Sequence, residues 1–153
     1  MGQLDQRVAI VTGSGRGIGQ AIALRLARDG AKVVVNDLDE APARETIALI
    51  QAQGGQAVAC NGDVTAADFG TRVVATAVEA FGGCHVIVNN AGYTWDSVIQ
   101  KMTDEQWYAI IDVHLTAPFR ILRAFSDYLR PAVEAERKDG QRIVRRIVNV
   151  SST

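Results

Sequence analysis

Short runs of β-branched residues alternate along the chain with longer segments in which apolar residues recur every three or four positions. The short runs predict five strands, at residues 7–11, 32–36, 56–60, 86–89 and 143–150. The longer segments predict four helices, at residues 18–29, 40–53, 65–81 and 103–129. Because the strands are apolar throughout rather than on alternate positions, we expect a parallel sheet covered by helices on both faces.

The ends of these helices carry recognisable signals. Thr65 and Asp68 have the spacing of a capping box, which predicts that the third helix opens there. Thr103 and Gln106 have the same spacing at the start of the fourth helix. Pro118 lies inside this fourth helix, where it removes one main-chain hydrogen bond and favours a bend.

Length and charge narrow the classes of function. The chain has 153 residues, with 16 basic and 17 acidic side chains, so we predict one domain over residues 1–153 that does not attract nucleic acid or membrane surfaces. No apolar run is long enough for a transmembrane helix. The polar segment 134–146 holds five basic residues, but acidic residues interleave with them, and we interpret it as a solvated loop and strand edge.

The two cysteines give little chemistry of their own. Cys60 and Cys84 are 24 positions apart, lie in apolar runs and form no CxxC pair. We interpret them as reduced, structural residues, and we predict no metal site. This usage is typical of a cytoplasmic protein.

The sequence TGSGRGIG at residues 12–19 follows the first strand and opens the first helix. Glycines let the chain turn sharply and bring bare backbone close to a pyrophosphate, and the helix start offers free N–H groups to the anion. In another context such a cluster would be an ordinary tight turn, but its place between strand and helix favours a dinucleotide site. The predicted contacts are Gly13, Ser14, Arg16, Gly17, Ile18 and Gly19.

Asp37 closes the second strand, 18 positions beyond Gly19. A carboxylate at this place accepts hydrogen bonds from both hydroxyls of an adenosine ribose and repels a 2′-phosphate, so we predict NAD as the cofactor. An acid at a strand end also serves as a helix cap or in a solvated turn, and Asp39 suits that role equally well. Arg16 argues the other way, because a cation near the ribose welcomes a phosphate, so NADP stays possible.

Further motifs occur in a fixed order. Asp63-Val64 follows the third strand, Asn89-Asn90-Ala91-Gly92 follows the fourth, and Ser151-Ser152 ends the fifth. Together with the TGxxxGxG spacing at 12–19, these motifs resemble the short-chain dehydrogenase/reductase family over Leu4–Thr153. The resemblance implies an α/β fold, a doubly wound parallel Rossmann sheet with strand order 3-2-1-4-5, here truncated after strand five.

The resemblance also implies roles for individual residues. Asp37, with Leu38 beside it, would hold the adenosine ribose, and Asp63 and Val64 would flank the adenine. Ser152 would donate a hydrogen bond to the substrate carbonyl. The remaining contacts would support the cofactor from the fourth strand and from beside the nicotinamide: Asn90, Ala91, Gly92 and Val113.

His114 departs from the family pattern. The segment from Trp107 to Phe119 matches the family's catalytic helix, where an asparagine usually stands in place of His114 and holds a water in a proton relay. A histidine also binds water and titrates near neutrality, so we expect His114 to take over this role. The alternative is that the His114 side chain is only packed against its neighbours and has no part in the chemistry.

The family's catalytic tyrosine and lysine would follow the serine pair by about a dozen residues and a further four, beyond Thr153. We therefore expect the sequence to be the amino-terminal portion of a longer enzyme, with strand five left as an exposed edge. The resemblance implies hydride transfer between NAD(P)(H) and a small carbonyl/alcohol pair, of the 3-oxoacyl or 3-hydroxyacyl thioester kind, in a homotetramer. The alternative is a catalytically incomplete NAD-binding fragment or pseudoenzyme.

Overall fold

A five-stranded parallel sheet forms the centre of the protein. The computed structural model describes residues 2–151. The strand order is β3-β2-β1-β4-β5, which confirms the predicted doubly wound arrangement. The strands are β1 (Val8–Val11), β2 (Lys32–Val35), β3 (Ala57–Ala59), β4 (Val86–Asn89) and β5 (Arg146–Asn149).

Helices connect the strands and cover both faces of the sheet. Each predicted helix is present, with bounds that differ most in the third and fourth. The helices are α1 (Gly17–Arg28), α2 (Glu40–Ala52), α3 (Phe69–Phe81), α4 (Asp104–Ile111) and α5 (Ala117–Lys138). A π-helical turn, Asp112–Thr116, joins α4 to α5, and a short 3₁₀ turn, Ile99–Lys101, precedes α4.

The core has one layer on each face of the sheet. On one face Ile10 and Ile87 pack against Phe69, Ile121 and Phe125, which come from α3 and α5. On the other face the apolar side chains of β1, β2 and β4 pack against α1 and α2. Burial of the strands on both faces explains why their sequences are continuously apolar.

β1 lies at the centre of the sheet, with Ile10 opposite Val34 of β2 and Ile87 of β4. β5 pairs with β4 along one edge, and its apolar residues Ile147 and Val148 are 48% and 46% exposed. The parallel arrangement brings the carboxyl ends of all five strands to one side of the molecule, where the predicted motifs follow them.

The prediction that Thr65 and Asp68 form a capping box was wrong. Helix α3 begins at Phe69, and the Asp68 side chain makes no capping hydrogen bond. Thr65 is engaged instead with Asp63, whose Oδ1 accepts bonds from the Thr65 hydroxyl and main-chain N–H, both at 2.8 Å. A carboxylate two positions upstream competes with helix capping by closing a local turn.

The helix predicted over residues 103–129 is present, but it widens into the π-turn and continues to Lys138, nine residues beyond the predicted end. The capping box at Thr103 is confirmed, since its hydroxyl accepts the N–H of Gln106 and the Gln106 side chain accepts the N–H of Thr103. Pro118 lies directly after the π-turn, at the second residue of α5. Proline lacks the N–H that would bond four residues back, and a wide turn accommodates its ring.

The segment 134–146 is only partly the solvated loop that its polarity suggested. Residues up to Lys138 belong to the last turns of α5. The Arg145 side chain is 89% buried and pairs with Glu136, whose Oε2 accepts a bond from Arg145 Nη1 at 3.1 Å. Across residues 2–151, no helix has the length and apolar character needed to cross a membrane.

Candidate functional site

The turn after β1 requires glycine at two positions. Gly13 has a φ of 61°, and a Cβ there would lie 2.9 Å from the Cα of Ala91. A Cβ at Gly19 would overlap the carbonyl oxygen of Gly13 and the side-chain amide of Asn90. The two glycines therefore let the turn, helix α1 and the segment after β4 approach one another closely.

Thr12 joins this turn to the end of β4. Its hydroxyl accepts the main-chain N–H groups of Asn90 and Ala91, each at 3.0 Å, and donates to the carbonyl of Val88 at 3.4 Å. The Asn90 amide donates in return to the carbonyls of Thr12 and Gly13, at 3.0 and 3.1 Å. Asn90 is thus a bridge between the ends of β1 and β4.

Asn36 fixes the other side of the turn. Its Oδ1 accepts the N–H of Gly13 at 3.2 Å, and its Nδ2 donates to the carbonyls of Cys60 and Gly62 at 2.9 and 3.1 Å. Ser14 is fully buried, with its hydroxyl donating to Val11 at 2.7 Å and its N–H bonded to the Asn36 carbonyl at 2.6 Å. The donors of Ser14 are therefore used within the scaffold.

Asp37 is held in place by main-chain donors. Its Oδ2 accepts the N–H of Gly15 at 3.0 Å, and its Oδ1 accepts the N–H of Asp39 at 3.2 Å. Each oxygen keeps a second lone pair for another donor. Arg16 pairs with Asp39 at 2.8 Å, with both side chains 65% exposed, so the Arg16 charge is directed at Asp39 in this conformation.

These elements enclose a cleft of about 720 Å³ along the carboxyl ends of β1, β2, β3 and β4. Most of the residues predicted to bind the cofactor line it together. They are Gly13, Arg16, Ile18, Gly19, Asp37, Leu38, Asp63, Val64, Asn90, Ala91, Gly92 and Val113.

Two of the predicted contacts, Ser14 and Gly17, are not part of the wall, although both belong to the turn beneath it. The wall also contains residues that the sequence prediction did not assign. The unassigned wall residues are Asn36, Asp39, Gly62, Thr65 and Tyr93. Each is adjacent or close in sequence to an assigned residue, so widening each motif by two positions would have found them.

A second cavity, also of about 720 Å³, lies between the ends of β4 and β5 and helix α5. Ala91 and Val113 line both cavities, which makes them the boundary between the two. His114 lines the second cavity, as does Val150, two positions before Ser152. Ser152 itself lies outside the described residues.

His114 is anchored at one ring nitrogen. Its Nε2 lies 2.9 Å from the carbonyl oxygen of Tyr93, and since a carbonyl only accepts, Nε2 carries the proton. The ring packs on Gly92, where an added Cβ would lie 3.1 Å from Nδ1. The π-turn holds His114 beside the segment that follows β4.

The first cleft suits a dinucleotide in shape and in charge. Helix α1 begins at its rim, and no side chain caps its first turn. The first N–H groups of α1 are therefore available to an anion. At the far end the Asp37 carboxylate matches a pair of ribose hydroxyls.

Comparison with known proteins agrees with this architecture. The sequence model of the short chain dehydrogenase family matches residues 7–153. A 3-oxoacyl-[acyl-carrier-protein] reductase of Synechocystis sp. is 39% identical over 99% of this chain and 58% of its own length. A hydroxyacyl-CoA dehydrogenase of Mycobacterium tuberculosis is 41% identical over 97% of this chain and 48% of its own length.

Solved structures give the same result. The crystal structure of a short chain dehydrogenase from Mycobacterium avium superimposes with a TM-score of 0.89 at 40% identity, covering 99% of this chain and 56% of that one. A metagenomic short-chain oxidoreductase in complex with NADP gives 0.84 at 37% identity, covering 98% and 64%. The chain therefore spans about half the length of the curated relatives it matches.

Proposed function

Because the chain belongs to the short-chain dehydrogenase family, we propose that it binds a nicotinamide dinucleotide in the first cleft and serves in hydride transfer between that cofactor and a carbonyl/alcohol pair. The observation that carries the proposal is the joint geometry of the glycine turn, the start of α1 and the Asp37 carboxylate. Gly13, Ile18 and Gly19 would face the pyrophosphate. When bound, the nicotinamide supplies the hydride chemistry, and this chain supplies its placement.

We further propose that NAD is preferred over NADP. Asp37 lines the cleft with free lone pairs for two ribose hydroxyls, and its charge opposes a 2′-phosphate. Arg16 would favour the phosphate if it turned away from Asp39. The metagenomic relative was solved in complex with NADP, which is therefore the competing cofactor in the test.

Isothermal calorimetry of the purified chain, titrated with NADH and with NADPH, tests both the binding of nucleotide and the preference for NAD. We expect tighter binding of NADH, and a loss of about tenfold in NADH affinity for Asp37→Asn, because hydrogen bonds to a charged acceptor contribute about 1.5–3 kcal/mol. Asp39→Asn is the matched control, since it removes a neighbouring carboxylate and releases Arg16. Tighter NADPH binding by the unaltered chain would refute the NAD preference, and no heat with either nucleotide would refute the site.

For the chemical step we propose roles for His114 and Ser152. Val113 and Ala91 separate the cofactor cleft from the second cavity, so a nicotinamide near Val113 would meet a substrate that enters from the second cavity. Ser152 would donate a hydrogen bond to the substrate carbonyl. His114, anchored through Nε2, would hold the water of the proton relay in place of the family's asparagine.

The role of His114 is tested by comparing the activity of two variants of the full natural gene product. His114→Asn should keep most of the activity, because an amide still binds water. His114→Leu should lose most of the activity. Equal activity of both variants would show that the ring is only packed, and binding of nucleotide without any turnover would indicate a non-catalytic NAD-binding protein.

The proposed substrate is a 3-oxoacyl or 3-hydroxyacyl thioester. Two of the relatives are named for substrates of this kind. A panel of acyl thioesters of increasing length, assayed against simple ketones, tests this substrate class.

Exposed apolar residues of α4, the π-turn and α5 also support the proposal of a homo-oligomer, a tetramer. Trp107, Leu115 and Phe119 are each more than half exposed, whereas Ile121 and Phe125 of the same helical stretch pack on the sheet. Light scattering that gives the mass of a single subunit at micromolar concentration would count against the tetramer.

The protein is proposed to act in the cytoplasm, without nucleic-acid or membrane partners.

A further inference from the structure

His85 lies at the amino end of the sheet, on the side opposite both cavities. It is 8% exposed and directly precedes β4. Its Nδ1 accepts the main-chain N–H of Val8 at 3.0 Å, and its own N–H donates to the carbonyl of Val8 at 2.9 Å. His85 thus exchanges two hydrogen bonds with Val8, the first residue of β1, and one of them is made by the His85 ring.

The same residue continues the sheet toward β5. The carbonyl of His85 accepts the N–H of Arg146 at 2.9 Å. His85 therefore connects the starts of β1, β4 and β5. β1 and β4 are the strands that end at Thr12 and Asn90, where the cofactor cleft is built.

The bond from Val8 requires a neutral ring. Because Nδ1 accepts, the proton of the neutral imidazole is on Nε2, and protonation of Nδ1 would turn the acceptor into a donor facing another donor. A charged ring would also be buried, and the Val8 N–H would lose its partner. Both changes oppose the cationic form.

The groups around His85 come from every element packed on it. Arg145 precedes β5, Arg7 precedes β1, and Glu136 and Tyr128 come from α5. The pKa of His85 is lowered from its ordinary value of 6.5, first by burial and then by the charges of Arg145 and Arg7, against which Glu136 acts. Glu136 is already paired with Arg145, so its charge is shared between a cation and the ring.

Tyr128 and Cys84 complete the surroundings. The Tyr128 hydroxyl accepts the N–H of Cys84 at 3.3 Å. Burial raises the pKa of the Cys84 thiol to about 12, so it remains neutral beside the ring. These two groups therefore supply no negative charge that would stabilise a protonated His85 at neutral pH.

We propose that His85 is an acid-sensitive latch of the sheet, which holds β1 to β4 while its ring is neutral and releases them when the ring takes up a proton. This goes beyond nucleotide binding and does not depend on it. The unfolded chain takes up the proton near pH 6.5, whereas the folded chain takes it up only at lower pH. The stabilisation is therefore fully present above pH 6.5 and is lost as the pH falls from there toward the folded-state value.

The test is urea unfolding of the full chain at a series of pH values from 7.5 to 5.5. His85→Asn places Oδ1 where Nδ1 stands, so it keeps an acceptor for Val8 but cannot ionise. We expect the folded-to-unfolded ratio of the unaltered protein to fall up to about tenfold more than that of His85→Asn over this range. His114→Asn, which removes the exposed histidine, should keep the steep dependence. Parallel curves for the unaltered protein and His85→Asn would overturn the proposal.

A second measurement decides the matter even where His85→Asn does not fold. The chain contains two histidines, so the ring nitrogens of a ¹⁵N-labelled sample give two sets of NMR signals, assigned with His114→Asn. We expect the His85 ring to titrate with a midpoint below pH 6.5 and to carry its neutral proton on Nε2. A midpoint at or above pH 6.5, or a neutral proton on Nδ1, would overturn the latch.

Discussion

Replacing the Thr12 hydroxyl tests how the two halves of the cleft are joined. Thr12→Val keeps the shape of the side chain but removes the oxygen that accepts the N–H groups of Asn90 and Ala91. Thr12 is 2% exposed, so water has little access to take the place of the hydroxyl. The two donors would lose their partner together, whereas the carbonyl of Val88 keeps the main-chain N–H of Thr12 at 3.1 Å.

The expected cost follows from the burial of the unpaired groups. A buried donor left without an acceptor costs about 1–3 kcal/mol, and the lower end applies here because Asn90 and Ala91 are only half-buried. Two donors therefore lower the free energy of unfolding by about 2 kcal/mol. For a chain of this size, about 2 kcal/mol corresponds to a fall of about 4–8 °C in Tm.

Urea and thermal unfolding, each followed by circular dichroism, measure this loss. Thr12→Ser is the matched control, because it keeps the hydroxyl and removes only a methyl group, at a cost of about 1 kcal/mol. Nucleotide titration should show weaker binding for Thr12→Val than for Thr12→Ser, since the hydroxyl orients the segment that follows β4. The reasoning is refuted if the valine variant is as stable as the serine variant or more stable.

Three further predictions concern other contacts. Gly19→Ala should reduce nucleotide affinity at least tenfold in calorimetry, because its Cβ overlaps Gly13, whereas Gly54→Ala, whose Cβ would face open space, should alter stability but not affinity. Gln106→Ala should lower the free energy of unfolding by about 1 kcal/mol through loss of the capping box, and Gln106→Glu should not; equal values would contradict this. Burial raises the pKa of Cys84 to about 12, so its thiol should resist maleimide at pH 8 until urea exposes it. Because the thiol ionises less readily in the folded than in the unfolded chain, the free energy of unfolding should fall as pH rises from 9.0 toward 12.

Local patterns sufficed for most of the secondary structure and for the position of the site. The central strands β1, β2 and β4 are short, apolar and largely buried on both faces, so their sequences carry a signal that no tertiary context reverses. The glycine turn is equally explicit, because Gly13 and Gly19 allow close backbone contacts that any side chain would prevent. The capping box of α4 was correct for the same reason, since Thr103 and Gln106 satisfy each other within one turn.

Local patterns failed where a second partner competed for the same group. Thr65 has the spacing of a cap, but Asp63 reaches it first, and α3 starts later. Ser14 lies in the predicted binding motif and its hydroxyl donates to Val11, so its contact with a cofactor stays a prediction. The helix around Pro118 widens into a π-turn, which the proline permits but does not specify.

By itself, the sequence determined the strands, most of the helices, the glycine turn and the acid that closes β2. These depend on burial, backbone freedom and spacing within a few residues. Only the tertiary structure decided that the Thr12 hydroxyl accepts hydrogen bonds from residues 78 and 79 positions away, and that Arg16 pairs with Asp39. It also decided that the His85 ring accepts a hydrogen bond from the first residue of β1. These bonds join groups that the folded sheet brings together, and the many alternative partners along the chain leave no local signal for them.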